Sequence, residues 1–179
     1  MEVLVDVGRA AGLVRAGEVV AFPTDTVYGL MALPAAADRI YAAKGRPADR
    51  QLIVMAADPA AFETLVEVSP MARALMDRYW PGPLTLVLPT LDGDPPTLGI
   101  RIPDHPLALA LLRKVGEPVL TTSANRSGEP PAVTAAAVGL PGVAAVLDGG
   151  RAPGGVPSTV LAIEGDALRV IRRGPIDPG

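Results

Sequence analysis

Helical and extended patterns alternate in the first half of the chain, and a strand-rich second half follows with connections of mixed length. Together these predict an α/β fold with α+β character: a twisted, mixed, open sheet with helices packed on it, not a regular βαβ wind. With 179 residues, 49% of them hydrophobic, the chain is long enough for a proper core, and neither a composition shift nor a linker divides it. One domain over residues 1–179 is the expectation.

The elements follow in order. VDVGRAAGLVRAG (5–17) places apolar residues at helical spacing and ends in Gly17; EVVAFP (18–23) is then a short β-branched run stopped by Pro23. AAADRIYAAKG (35–45) reads as a helix whose last turn carries Lys44 before a stop at Gly45, and QLIVMAA (51–57) as a buried strand. Residues 58–79 suggest two helices, with Ser69 and Pro70 as N-cap and first-turn pair. LTLVLPT, LGIRIP, PVLTTS, AAVLDGG, STVLAIEG and ALRVIRR follow as strands, with helices near 106–114 and 133–139. The 20 prolines and 19 glycines are spread along the chain as turn punctuation.

Composition removes several function classes. A net charge of −3 gives no global positive field of the kind that displaces counterions from nucleic acid, so any anion site is local. No cysteine is present, which removes disulfides and thiolate chemistry and fits a reducing cytoplasm. MEVLVDVGRAAG lacks the pattern of a signal peptide, and the longest apolar run, Ala135 to Leu147, is too short to span a bilayer, so a soluble, cytoplasmic protein without membrane contact is expected. DGGRAPGG matches neither standard Gly-rich phosphate cradle. One histidine, His105, offers little for a zinc site and serves better as a helix start or surface residue than in a Ser-His-Asp triad.

Polar residues gather in the loops that leave strands. AAKGRPADRQLIV (42–54) sets Lys44, Arg46 and Arg50 between a helix end and a strand. Guanidinium forks grip phosphate bidentately and a lysine supplies a point charge, a pairing suited to a polyphosphate; a solvated helix end would use the same cations against its dipole. TTSANRSGEPP (121–131) strings hydroxyls, an amide and a glycine after a strand, as a phosphate-holding loop or an ordinary turn would. FPTDTVYGL (22–30) sets Thr24, Asp25, Thr26 and Tyr28 after another strand, suited to a small polar ligand or to a capped turn. Arg101 stands inside an apolar strand, where a buried guanidinium needs an anion; a ligand carboxylate would serve. WPGPLT (80–85) shapes a rigid turn, with Trp80 in the core.

PTDTVYGL, KGRP, PGPLT, GIRIPDHP, TSANRSGEP, STV and IRRGPI occur in an order and spacing that resemble the YrdC-like family over nearly the whole chain. The resemblance implies an L-threonylcarbamoyladenylate synthase: threonine, bicarbonate or CO2, and ATP give threonylcarbamoyl-AMP and pyrophosphate, the donor for N6-threonylcarbamoyladenosine in tRNA. It implies a concave, positively charged cleft and, with the chain ending at Gly179, the short single-domain form. Carried over by motif, the K-x-R and S-x-N signature falls on Lys44, Arg46, Ser123 and Asn125, with Lys44 and Arg46 as the catalytic cations. ATP would be held by these residues with Arg50, Thr97, Pro131 and Arg172, and threonine by Thr26, Arg101, Thr121 and Ser158. Mg²⁺ would be held mainly by the ATP phosphates. Two departures stand out: the family commonly has Pro-Leu before the strand after KGRP and a His at its far end, where this chain has Gln51-Leu52 and Met55. The segment between Tyr28 and Lys44 is also short for the family.

Implied partners are the downstream transferases that carry threonylcarbamoyl to tRNA, with a weak contact to tRNA itself left open. Two rival readings are an RNA-binding module without chemistry and a carbamoyltransferase relative that uses carbamoyl phosphate. The acidic balance and scarce aromatics oppose the first, and the length of the chain opposes the second.

Overall fold

In the computed structural model, which describes every residue except Arg46, Ala48, Asp49, Asp166, Pro178 and Gly179, helices and strands interleave. The order is β1 (Glu2–Leu4), α1 (Val7–Arg15), β2 (Val19–Phe22), β3 (Gly29–Ala32), α2 (Ala37–Lys44), β4 (Ile53–Met55), α3 (Pro70–Tyr79) and β5 (Leu84–Pro89). It continues with β6 (Thr97–Arg101), α4 (Pro106–Val115), β7 (Val119–Ser123), β8 (Val143–Leu147), β9 (Thr159–Glu164) and β10 (Ala167–Arg172). Single 3-10 turns lie at Pro34–Ala36, Pro59–Phe62 and Ala135–Ala137. Among the described residues no helix is long and apolar enough to cross a membrane.

All these strands join one sheet in the order β1-β8-β2-β3-β7-β4-β6-β5-β9-β10. Its centre, β2-β3-β7-β4, is antiparallel, and parallel pairs (β1 and β2 on β8, β4 on β6, β5 on β9) flank it. This is the mixed, open sheet expected.

Local chemistry sets the boundaries. Asp6 caps α1 by accepting from the Gly8 and Arg9 amides, so the helix starts at Val7 and not at Val5. Ser69 caps α3 and Pro70 opens it, as the sequence suggests. Gly45, at φ 58°, takes the left-handed turn that ends α2 directly after Lys44. Three expectations differ. Residues 58–79 hold one helix after a 3-10 turn, and the helix expected near 133–139 is reduced to Ala135–Ala137. Two strands, β1 and β3, were not expected: β1 is three residues held by pairing to β8, and β3 (GLMA) is buried on both faces, so it lacks the alternation that marks a strand.

Strand alternation divides the core. Val19 and Ala21 of β2 point to one face, under α2 and the 132–140 segment; Val20 and Phe22 point to the other, under α1 and α4. Farther along the sheet, Leu84, Leu86 and Leu88 of β5 and Ile100 of β6 meet α3 on the first face. On the second face the cluster under α1 and α4 extends to Ile53 and Met55 of β4, and beyond it polar side chains, Arg101 on β6 and Thr85 on β5, take the place of apolar ones. That polar stretch positions the site.

Candidate functional site

The residues that alternate with the buried apolar ones on these strands are polar: Thr85 on β5, Arg101 on β6, and Thr121 and Ser123 on β7. With the β2–β3 connection and Ser158 at the head of β9 they line a cavity of about 180 Å³. Ile53, Met55 and Val160 give it an apolar side. Six predicted residues come together there: Thr26, Arg101, Thr121, Ser123, Ser158 and Arg172.

Arg101 is its centre. It is 3% exposed, and all three of its nitrogens are engaged: Nε donates to the Gly82 carbonyl at 3.0 Å, Nη1 to Thr26 Oγ1 at 3.1 Å, and Nη2 to Asp25 Oδ1 at 2.6 Å. The anion that this buried guanidinium requires is therefore a protein carboxylate, where the sequence suggested a ligand's. Asp25 is held in turn by the Asp104 amide at 3.0 Å, while its Oδ2 is buried without a hydrogen-bond partner. Burial pushes the Arg101 guanidinium below the usual arginine range, and the Asp25 carboxylate pulls it back up. Both the cation and its fixed orientation are thus built into the fold.

A second polar chain closes the opposite wall. Arg172 Nε donates to the Ser158 carbonyl at 3.0 Å and its Nη2 to Ser158 Oγ at 3.1 Å, and Ser158 Oγ meets Thr85 Oγ1 at 2.8 Å. Burial also lowers the Arg172 pKa. Two guanidinium groups therefore face one small cavity whose other polar side chains are hydroxyls and the Gln51 amide.

Lys44 does not line the cavity. At 3% exposure, its Nζ donates to the carbonyls of Ser123 and, at 2.6 Å, Asn125. The end of α2 is thereby tied to the loop after β7. The sequence presents Lys44 as a cation facing an anion; the fold turns it onto backbone oxygens at the loop that carries Ser123. Asn125 is a loop-former too: Nδ2 donates to the carbonyls of Arg126 at 2.8 Å and Glu129 at 2.7 Å, and Oδ1 is buried without a partner. Arg50 is exposed and Pro131 half-buried, both off the cavity wall. Thr97 lines an adjoining groove that shares Gln51, Ile53 and Val160 with the cavity. Arg46 lies outside the described residues.

Sequence reasoning missed Thr85, Thr122 and Met55 as lining residues, and Asp25 as the partner of Arg101. A signal existed for one of them: Thr85 is the lone polar residue in LTLVLP, at a position facing away from the apolar alternates. Met55 is 4% exposed and adds apolar surface to the cavity. His105 occupies the N-cap of α4 without a side-chain capping bond, so it starts the helix by position alone. Trp80 packs on Phe62 with ring centroids 5.5 Å apart and donates to the Leu84 carbonyl at 2.7 Å, a core role as expected.

Comparison with known proteins agrees with this architecture. Over 185 aligned residues the chain is 47% identical to a threonylcarbamoyl-AMP synthase of Bacillus subtilis, covering 95% of this chain and 54% of that one. The crystal structure of Pyrococcus abyssi Sua5 complexed with L-threonine superposes with a TM-score of 0.89 at 40% identity, covering 94% of this chain and 54% of that one. The chain thus spans about half the length of each. Escherichia coli YciO superposes with a TM-score of 0.80 at 28% identity, over 96% of this chain and 90% of that one. The Sua5/YciO/YrdC family profile, described as "Telomere recombination", matches residues 12–174, and the chain belongs to this family.

Proposed function

We propose that the chain is an ATP-dependent threonylcarbamoyl-AMP synthase serving N6-threonylcarbamoyladenosine formation in tRNA, acting as one domain in the cytoplasm. The observation that carries the reading is the small hydroxyl-lined cavity with the Asp25-anchored Arg101 at its centre, of a size and charge for an amino acid. The names of the relatives support it, since threonylcarbamoyl-AMP synthases and a threonine-bound structure stand among them.

In this reading Arg101 and Arg172 attract the threonine carboxylate, and Thr26, Thr121 and Ser158 bind its remaining polar groups. The methyl would lie on Ile53, Met55 and Val160, and since one methyl is worth about 1–3 kcal/mol, selectivity over serine is modest. The amine nitrogen attacks CO2 and loses a proton, giving a carbamate; a carbamate oxygen attacks the α-phosphorus of ATP, and pyrophosphate leaves. No protein nucleophile is needed. The chain's part is positioning and charge stabilisation. Ser123, Asn125 and Thr97 would contact the nucleotide, with Arg46, Arg50, Pro131 and Arg172 as further contacts to ATP. Lys44 acts by shaping the 123–125 loop and by its charge. Among the described residues no three Asp, Glu, His or Cys side chains gather to hold a metal ion, so Mg²⁺ would arrive on the nucleotide phosphates, and no step here runs through it. The adenylate then passes to a transferase that acts on tRNA.

The test is pyrophosphate release from Mg-ATP with threonine and bicarbonate omitted in turn, for the wild type and Lys44→Ala. Release that requires both substrates and falls at least about a hundredfold in the variant is expected, since the loop carbonyls lose their cation. Folded wild-type protein that releases none with threonine would refute the reading.

A further inference from the structure

The hydroxyls of the β2–β3 connection form a hydrogen-bond chain whose direction can be worked out. A backbone carbonyl only accepts, so the 2.6 Å contact between Thr24 Oγ1 and the Val27 carbonyl uses the one proton of Thr24. The 2.9 Å contact between the two threonine hydroxyls must then run from Thr26 to Thr24, which uses the proton of Thr26. The amides of Thr26 and Val27 also approach Thr24 Oγ1, at 3.1 and 3.2 Å, and share one lone pair in a turn, leaving the other for the shorter hydroxyl bond. On the far side, Arg101 Nη1, which only donates, reaches Thr26 Oγ1 at 3.1 Å. One direction runs throughout, from Arg101 through Thr26 and Thr24 to Val27.

Thr26 lines the cavity with its proton already spent and one lone pair unused. An acceptor repels a carboxylate and welcomes an N–H or O–H. We propose that Thr24 is a positioning residue: by accepting the Thr26 proton it fixes Thr26 as a hydrogen-bond acceptor toward the cavity, so that this point reads a donor group of the amino-acid substrate, its amine or hydroxyl, and not its carboxylate. The identity of that substrate rests on the synthase reading; the direction of the chain does not. Thr24 also borders the cavity, but it is 2% exposed and its hydroxyl is taken up by the Val27 carbonyl, the Thr26 hydroxyl and the two amides, so its influence on a ligand runs through Thr26.

The experiment compares the wild-type chain, Thr24→Val and Thr24→Ser by calorimetric titration with L-threonine and by pyrophosphate-release kinetics. Valine keeps the shape but cannot accept, which frees the Thr26 hydroxyl to turn its proton into the cavity. The Kd and KM for threonine should rise about tenfold with kcat changed by less than about twofold, and serine should restore both. A purely structural defect would reduce kcat or the active fraction and leave KM in place. An unmoved Kd in folded Thr24→Val, or a serine variant as weak as the valine one, would overturn the proposal. If Thr24→Val does not fold, Thr24→Ala, which likewise cannot accept, replaces it, and an unchanged Kd there is equally fatal. Wild type that binds threonine more tightly than the valine variant but releases no pyrophosphate would remove the synthase reading and leave this one standing. Wild type that binds no threonine would remove both.

Discussion

One face of the sheet carries two regions built on the same pleat and finished in opposite ways. Over β8, β2 and β3 the outward positions are Ala145, Val20, Phe22 and Met31, and α1 and α4 seal them with Ala11, Val14, Leu111 and Leu112. Over β6, β5 and the far half of β7 the equivalent positions are Arg101, Thr85 and Thr121, which line the cavity. The first region stabilises by removing apolar area from water. The second gives up that stabilisation to hold buried polar groups, which is tolerable only because nearly every one has a partner. Mutations should therefore separate the regions: stability alone in the covered one, stability and substrate binding together in the open one.

The largest effect is expected at the Asp25–Arg101 pair, where the side chains are 12% and 3% exposed. Asp25→Ala strands a buried guanidinium and should cost about 3–5 kcal/mol in denaturant unfolding, with weakened threonine binding wherever the protein still folds. A loss under about 1 kcal/mol would mean that water or Thr26 suffices for Arg101. Leu111→Ala in the covered region removes a fully buried side chain between α4 and the sheet. It should cost about 2–5 kcal/mol, yet leave the KM for threonine at the wild-type value under conditions where both proteins are folded. A KM that moves with Leu111 would break the division between the regions.

The covered region was the more legible in the sequence. Its helices announce themselves by apolar spacing, with Gly17 behind α1, and its strands by β-branched runs, whereas the Asp6 cap that starts α1 showed only in the fold. What escaped was short or two-sided: β1 exists only through β8, and β3 has no polar alternate to mark its face. In the open region the individual residues were visible but their pairing was not. Arg101 demanded an anion from its place in an apolar strand, yet its partner Asp25 lies 76 residues away, and only the sheet brings the two together. The orientation of Lys44 was hidden for a similar reason, because its acceptors are backbone carbonyls about 80 residues downstream. Side-chain type is local information, whereas a hydrogen-bond partner across the sheet is set by topology.

The smallest effect expected is at the boundary between the regions. His105 stands at the N-terminus of α4, its Nδ1 buried without a partner, close enough to Gly149 that a Cβ there would lie 3.1 Å from the imidazole Cε1. Burial pushes its pKa below the ordinary 6.5, against the pull of the Asp25 and Asp104 carboxylates. The positive end of the helix dipole works in the same direction as burial. A folded-state pKa below the unfolded value means that the unfolded chain takes up the proton first, so the neutral imidazole's contribution is complete above about pH 6.5 and is lost as pH falls through the folded pKa. Thermal melts of wild type and His105→Gln between about pH 7.5 and 5 should therefore diverge, with the wild type losing more Tm on the acid side, while the carboxylates common to both proteins cancel in the difference. Parallel curves would mean that the two carboxylates offset burial in full, and His105 would then belong electrostatically to the open region that Asp25 anchors.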